Sequence, residues 1–161
     1  MEKKPYFLSV GGKERGENMH IISELLNKPS WNSNCNSDFI ELNLSCPNID
    51  GKPIIGYDYN EVAILLRYVF ESNNSKHKIG VKLPPYLDLN QLAIITDIIK
   101  EYPISFITSI NSLGNGFLLD KDYHSVLLPQ GGYGGIGGSI VKPIGLANVR
   151  KLKELTSIPI I

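Results

Sequence analysis

Four times along this chain an apolar, β-prone run is followed by a run with helical spacing, and a last β-prone run follows the fourth helix. The β-prone runs are 5–10 (PYFLSV), 39–45 (FIELNLS), 78–83 (KIGVKL), 104–110 (ISFITSI) and 158–161. The helical runs are 17–27, 60–73, 89–101 and 143–156, with Asn90 read as a cap and Pro143 at a first-turn position. Such alternation implies parallel strands joined by right-handed crossovers. Two architectures satisfy it, a (β/α)8 barrel and an open doubly wound sheet. Residues 28–38 and 46–59 read as irregular loops. Between residue 110 and the last helix lies a stretch long enough to suspect function.

Composition narrows the function classes. Sixteen Lys and Arg balance sixteen Asp and Glu, so the formal net charge is zero. Phosphate-backbone binding needs a basic excess, and nucleic acid is therefore not an expected partner. No apolar run approaches the ~18 residues of a membrane helix, so no membrane partner is expected either. Two cysteines, Cys35 and Cys46, are too few for a secreted disulfide framework. A cytoplasmic chain with free thiols is the expectation. His20, His77 and His124 show no metal-ligand spacing, and no metal is expected.

A buried parallel strand is normally apolar on both faces, so polar residues on one carry information. In 39–45, Glu41 and Asn43 share a parity; in 78–83, Gly80 and Lys82 do. In the fourth run Ile107, Ser109 and Asn111 share one. Three successive strands thus present Asn43, Lys82 and Asn111 near their C-terminal ends. In a barrel these ends converge on the mouth, where active sites lie. A half-buried lysine also needs an anion, a dipole or a carbonyl to offset its desolvation. Cys46 directly follows the second strand and is placed to act on a ligand at that mouth; Cys35 has no partner motif.

The glycine cluster at 131–138 (GGYGGIGG) admits three readings. It is a flexible linker, a phosphate or flavin cradle, or a dinucleotide fingerprint through Gly132, Gly134 and Gly137. The last is weakened by the residues that intervene before Pro143.

Four blocks, in order, carry a family resemblance: ELNLSCPN (41–48) continuing IDGKP, GVKLPPY (80–86), INSLGNG (110–116) and GGYGGIGGSIVKPIGLANV (131–149). They resemble the dihydroorotate dehydrogenases, most of all the soluble class 1A enzymes. The same blocks recur more loosely in the pyrimidine-reducing domain of dihydropyrimidine dehydrogenase, the competing assignment. The resemblance implies an α/β fold, a (β/α)8 TIM barrel with FMN at its mouth, oxidising dihydroorotate to orotate in pyrimidine biosynthesis. Fumarate is the implied electron acceptor, and a homodimer the implied assembly.

By motif match Cys46 is the base that takes the C5 proton. Asn43 contacts both FMN and substrate. Asn48, Asn111 and Ser112 hydrogen-bond the pyrimidine ring and its carboxylate. Lys82 sits at the flavin N1–O2 edge, and Ile110 and Gly138 line the FMN site. The excursion 117–130 reads as a hairpin, with Leu118 and Leu119 on one side and Val126, Leu127 and Leu128 on the other, a candidate dimer surface. Against a barrel of roughly 250 residues, residues 1–161 form one partial domain holding about strands 3 to 7. A partial sheet leaves edges unpaired, so the isolated chain is expected to bind FMN poorly and to associate. The alternative is an inactive fragment or interaction module.

Overall fold

The computed structural model describes residues 7–12, 15–27, 39–45, 53–72, 77–125 and 132–161. Strands β1 (Phe7–Val10), β2 (Phe39–Asn43), β3 (Lys78–Leu83) and β4 (Phe106–Ser109) form one parallel sheet, ordered β1-β2-β3-β4. Helices α1 (Arg15–Asn27), α2 (Tyr59–Ser72) and α3 (Leu89–Lys100) connect them, and α4 (Lys142–Leu155) follows later. The chain's last residues lie beside β4. Ile107 and Ile160 form a parallel bridge, and the Ile161 amide donates to the Ile107 carbonyl at 2.9 Å.

Helical spacing sets what each helix buries. Val62, Leu65, Leu66 and Val69 form one stripe on α2, and Leu92, Ile95 and Ile99 one on α3. Both pack against the outward residues of the sheet, Ile40, Leu42, Ile79, Val81 and Ile107. Successive helices also pack side by side, α1 on α2, α2 on α3 and α3 on α4. A strand order without reversal, built from right-handed crossovers, puts every helix on the same face. A doubly wound sheet needs a reversal, and the described strands have none.

The other face is concave. Phe7 on β1 and Phe106 on β4 meet edge-on with ring centroids 5.0 Å apart, and Phe39 lies 4.8 Å from Phe7. In a flat sheet, first and fourth strands stand ~14 Å apart, three spacings of about 4.8 Å. The Phe106 ring spans part of that gap by lying over Gly80 of β3, where it meets Phe7. The (β/α)8 expectation holds in this incomplete form: a parallel arc with helices outside.

Three expectations are corrected. The cap of α3 is Asp88, whose carboxylate accepts the Asn90 amide at 2.8 Å; Asn90 lies inside the helix. The long stretch after β4 contains β5 (Leu113–Phe117) and β6 (Tyr133–Ile136), paired antiparallel. Half of the glycine cluster is thus a strand. Because β6 pairs antiparallel with β5 and stands outside the parallel sheet, the cluster is not a dinucleotide fingerprint, which needs a parallel β-turn-α unit. Of the hairpin, the described part narrows through a Leu119–Ser125 bridge to a turn capped by Asp120; residues 126–130 lie outside the described residues.

Candidate active site

Side-chain alternation puts Ser9, Glu41, Asn43, Gly80, Lys82 and Thr108 on the concave face. In register, Asn43 stands opposite Lys82, and Lys82 opposite Thr108. Asn43 and Lys82 lie at the C-terminal ends of their strands, the end where barrels carry their chemistry.

Asn111 joins them by another route than the one expected. Alternation holds only within a strand, and β4 ends at Ser109. Its neighbour Ile107 is wholly buried on the helix side, and Thr108 is the β4 residue that shares a face with Lys82. The counting that grouped Ile107, Ser109 and Asn111 therefore fails. The peptide Ser109–Ile110 is cis, and the Asn111 amide donates to the Leu83 carbonyl at 3.0 Å. From there Asn111 Nδ2 donates to the Ser45 carbonyl at 2.6 Å and to Ser45 Oγ at 3.0 Å. Ser45 Oγ in turn donates to Asn43 Oδ1 at 2.8 Å. The chain Asn111–Ser45–Asn43 thus ties the turn after β4 to the end of β2, across the end of β3.

Ser112 is the next residue, its amide donating to Asn111 Oδ1 at 2.8 Å. Among the described residues no carboxylate pairs with Lys82 Nζ and no acceptor takes the Asn43 amide hydrogens, so both groups remain able to serve a ligand. Ile110 faces α4, where a Cβ on Gly145 would touch it at 3.7 Å. Gly138 has φ of 81° and nothing within 4 Å of where a Cβ would stand; no described hydrogen bond joins it to the Asn43 group.

Cys46 and Asn48 lie outside the described residues, but the ends of their loop are fixed. The Gly56 amide donates to the Leu44 carbonyl at 2.7 Å, closing the loop at its base. The Tyr86 hydroxyl donates to the Gly56 carbonyl, and the Tyr57 hydroxyl to the Pro85 carbonyl at 2.7 Å. Burial, followed by the neighbouring Tyr59 and Tyr57 hydroxyls, pushes the Tyr86 phenol far above the ordinary tyrosine range, so it stays a donor. Gly56 admits no side chain, since a Cβ would stand 2.5 Å from the Pro84 ring and 3.0 Å from the Leu44 carbonyl. Tyr86 is held in turn by Asn148 of α4, which is 1% exposed. Asn148 accepts the Tyr86 amide at 2.9 Å and donates to the Tyr86 carbonyl at 2.8 Å.

Sequence reasoning passed over Ser45, Tyr86 and Asn148. A signal existed for the last, because Ile144, Asn148 and Leu152 share a helix stripe and only the middle one is polar.

The profile of the family described as dihydroorotate dehydrogenase matches residues 2–161. The chain belongs to this family. Dihydroorotate dehydrogenase A (fumarate) of Lactococcus lactis is 41% identical over 150 residues, covering 92% of this chain and 46% of that protein. Dihydroorotate dehydrogenase (fumarate) of Saccharomyces cerevisiae is 43% identical over 145 residues, 89% of this chain and 44% of its own length. The chain spans about half the length of the curated relatives it matches. Dihydroorotate dehydrogenases generally use a flavin. No helix among the described residues is long and apolar enough to cross a membrane.

The residues present suit a flavin ring edge. An asparagine amide and an ammonium without a described protein counter-ion stand side by side on the concave face. Beside them Gly11 lies so close to Asn43 that a Cβ would stand 3.2 Å from the Asn43 Cβ. A planar heterocycle with carbonyl and imino acceptors is the ligand such a donor set recognises.

Proposed function

We propose that this chain is part of an FMN-dependent dihydroorotate dehydrogenase that oxidises dihydroorotate to orotate in pyrimidine biosynthesis, with fumarate as electron acceptor. The observation that carries the reading is the hydrogen-bonded group Asn43–Ser45–Asn111 beside Lys82 at the strand ends.

FMN, when bound, supplies the two-electron acceptor. Lys82 and Asn43 would hold its ring, with Ile110 and Gly138 lining the site. Lys82 places positive charge where the reduced ring gathers negative charge. Asn111, Ser112, Asn43 and Asn48 orient dihydroorotate by its ring and carboxylate. Cys46 takes the proton from C5 as C6 is oxidised. Its loop starts from Ser45, whose carbonyl and hydroxyl are both engaged. Exposed Phe117, Leu118, Leu119 and Tyr133 on the β5–β6 arm give a homodimer its apolar surface. A cytoplasmic location belongs to the same reading, by resemblance to the soluble class 1A enzymes.

Asn111→Ala is the test. Losing the side chain that ties Ser45 and Ser112 in place beside the substrate raises the KM for dihydroorotate about 10–100-fold, with a smaller change in kcat. A KM within twofold of wild type would remove Asn111 from the substrate site.

A further inference from the structure

Among the described residues Glu41 is the acidic side chain of the four parallel strands, and it is only 9% exposed. Its carboxylate is strapped at both ends. Ser9 of β1 donates to Oε1 at 2.7 Å, and Thr108 of β4 donates to Oε2 at 2.5 Å. To reach Thr108 from β2, the side chain must pass over β3. Its register partner there is Gly80, over which the Phe106 ring packs. Lys78 and Lys82 flank Gly80 on the same face. The Lys78 ammonium lies over the Phe39 ring, 5.1 Å from its centroid. Lys82 is left as the cation next to the strapped carboxylate, a diagonal neighbour on the adjacent strand that makes no contact ion pair with it.

A carboxylate nearly removed from water needs positive potential beyond two hydroxyl donors. Conversely, its attraction holds the neighbouring ammonium back toward the sheet, away from anything above it. We propose that Glu41 is a positioning residue for Lys82: held across β3 by Ser9 and Thr108, it sets how much positive charge Lys82 presents at the barrel mouth. The inference rests on the reading that Lys82 meets the flavin ring. It goes beyond that reading in giving the charge at the ring edge a second, buried control.

Sulfite tests it without turnover. Its lone pair forms a bond from sulfur to flavin N5, and the displaced electron pair leaves one negative charge on the N1–O2 edge. The adduct bleaches the visible band, so its Kd reports the potential there. In the flavin-loaded protein that carries this chain, Glu41→Gln tightens sulfite binding about tenfold. Glu41→Asp draws the carboxylate back toward β2 and gives a smaller shift in the same direction; it serves alone where Glu41→Gln does not fold. Lys82→Gln weakens sulfite binding, and in that background the Glu41→Gln effect falls to within twofold.

Glu41 variants within twofold of wild type, while Lys82→Gln weakens binding, would overturn the inference and leave the Lys82 reading intact. A Glu41→Gln effect undiminished in the Lys82→Gln background would overturn it too. A Lys82→Gln protein with unchanged sulfite affinity would sink the Lys82 reading itself.

Discussion

Cys46→Ala is expected to slow reduction of bound flavin by dihydroorotate about 10²–10⁴-fold at neutral pH, the span a general base contributes. The expectation starts from position. Cys46 follows Ser45, which Asn43 and Asn111 hold from two sides, and its loop is closed at the other end by Gly56 on Leu44. A thiolate removes the proton, so the wild-type rate climbs with pH. That dependence disappears in the alanine variant. FMN and orotate binding stay within a few-fold, because alanine keeps the backbone course. Stopped-flow absorbance under anaerobic conditions checks both parts. A wild-type reduction rate in Cys46→Ala at neutral pH would exclude the thiol as base.

The largest expected loss of stability comes from Asn148→Ala, about 3–5 kcal/mol in urea unfolding. Its side chain satisfies the amide and the carbonyl of Tyr86 and also donates to the Ile144 carbonyl at 3.0 Å. Truncation leaves buried backbone groups unpaired, at about 1–3 kcal/mol each. Water has little access, since Tyr86 and Asn148 are each 1% exposed. Asn148→Asp separates this cause from simple cavity formation. Aspartate keeps the volume and can accept the Tyr86 amide, yet it cannot donate to the Tyr86 carbonyl. The aspartate protein is therefore expected to be at least 2 kcal/mol less stable than wild type near neutral pH, again about one unpaired buried group. A loss below 1 kcal/mol for both variants would show that the clamp contributes little.

The sheet and its helices were legible because both periodicities are local and each element buries one clear stripe. Asn43 and Lys82 were legible for the same reason: inside a parallel strand a polar residue breaks an apolar expectation. Glu41 shares the parity of Asn43, yet its bonds to Ser9 and Thr108 join three strands far apart in sequence. No local pattern encodes that meeting. Asn111 was picked out with faulty parity, because strand alternation does not carry past Ser109. The glycine cluster stayed open to several readings because glycine is equally at home in a turn and in a close strand pair. At Gly116 a Cβ would stand 2.2 Å from Ile136, so β5 and β6 pack closely where glycine lies between them. Asn90 lost the cap to Asp88 because an aspartate immediately before the first helical residue reaches the same orphan amides.

The central claim is that the strand ends bearing Asn43, Lys82 and Asn111 bring a flavin and dihydroorotate together. Anaerobic addition of dihydroorotate to the flavin-loaded protein that carries this chain, followed in the visible spectrum, tests it most directly. The expected result is full bleaching of the flavin band with one equivalent of orotate formed per flavin, and recovery of the band on adding fumarate. A bound flavin whose spectrum dihydroorotate leaves unchanged would contradict it.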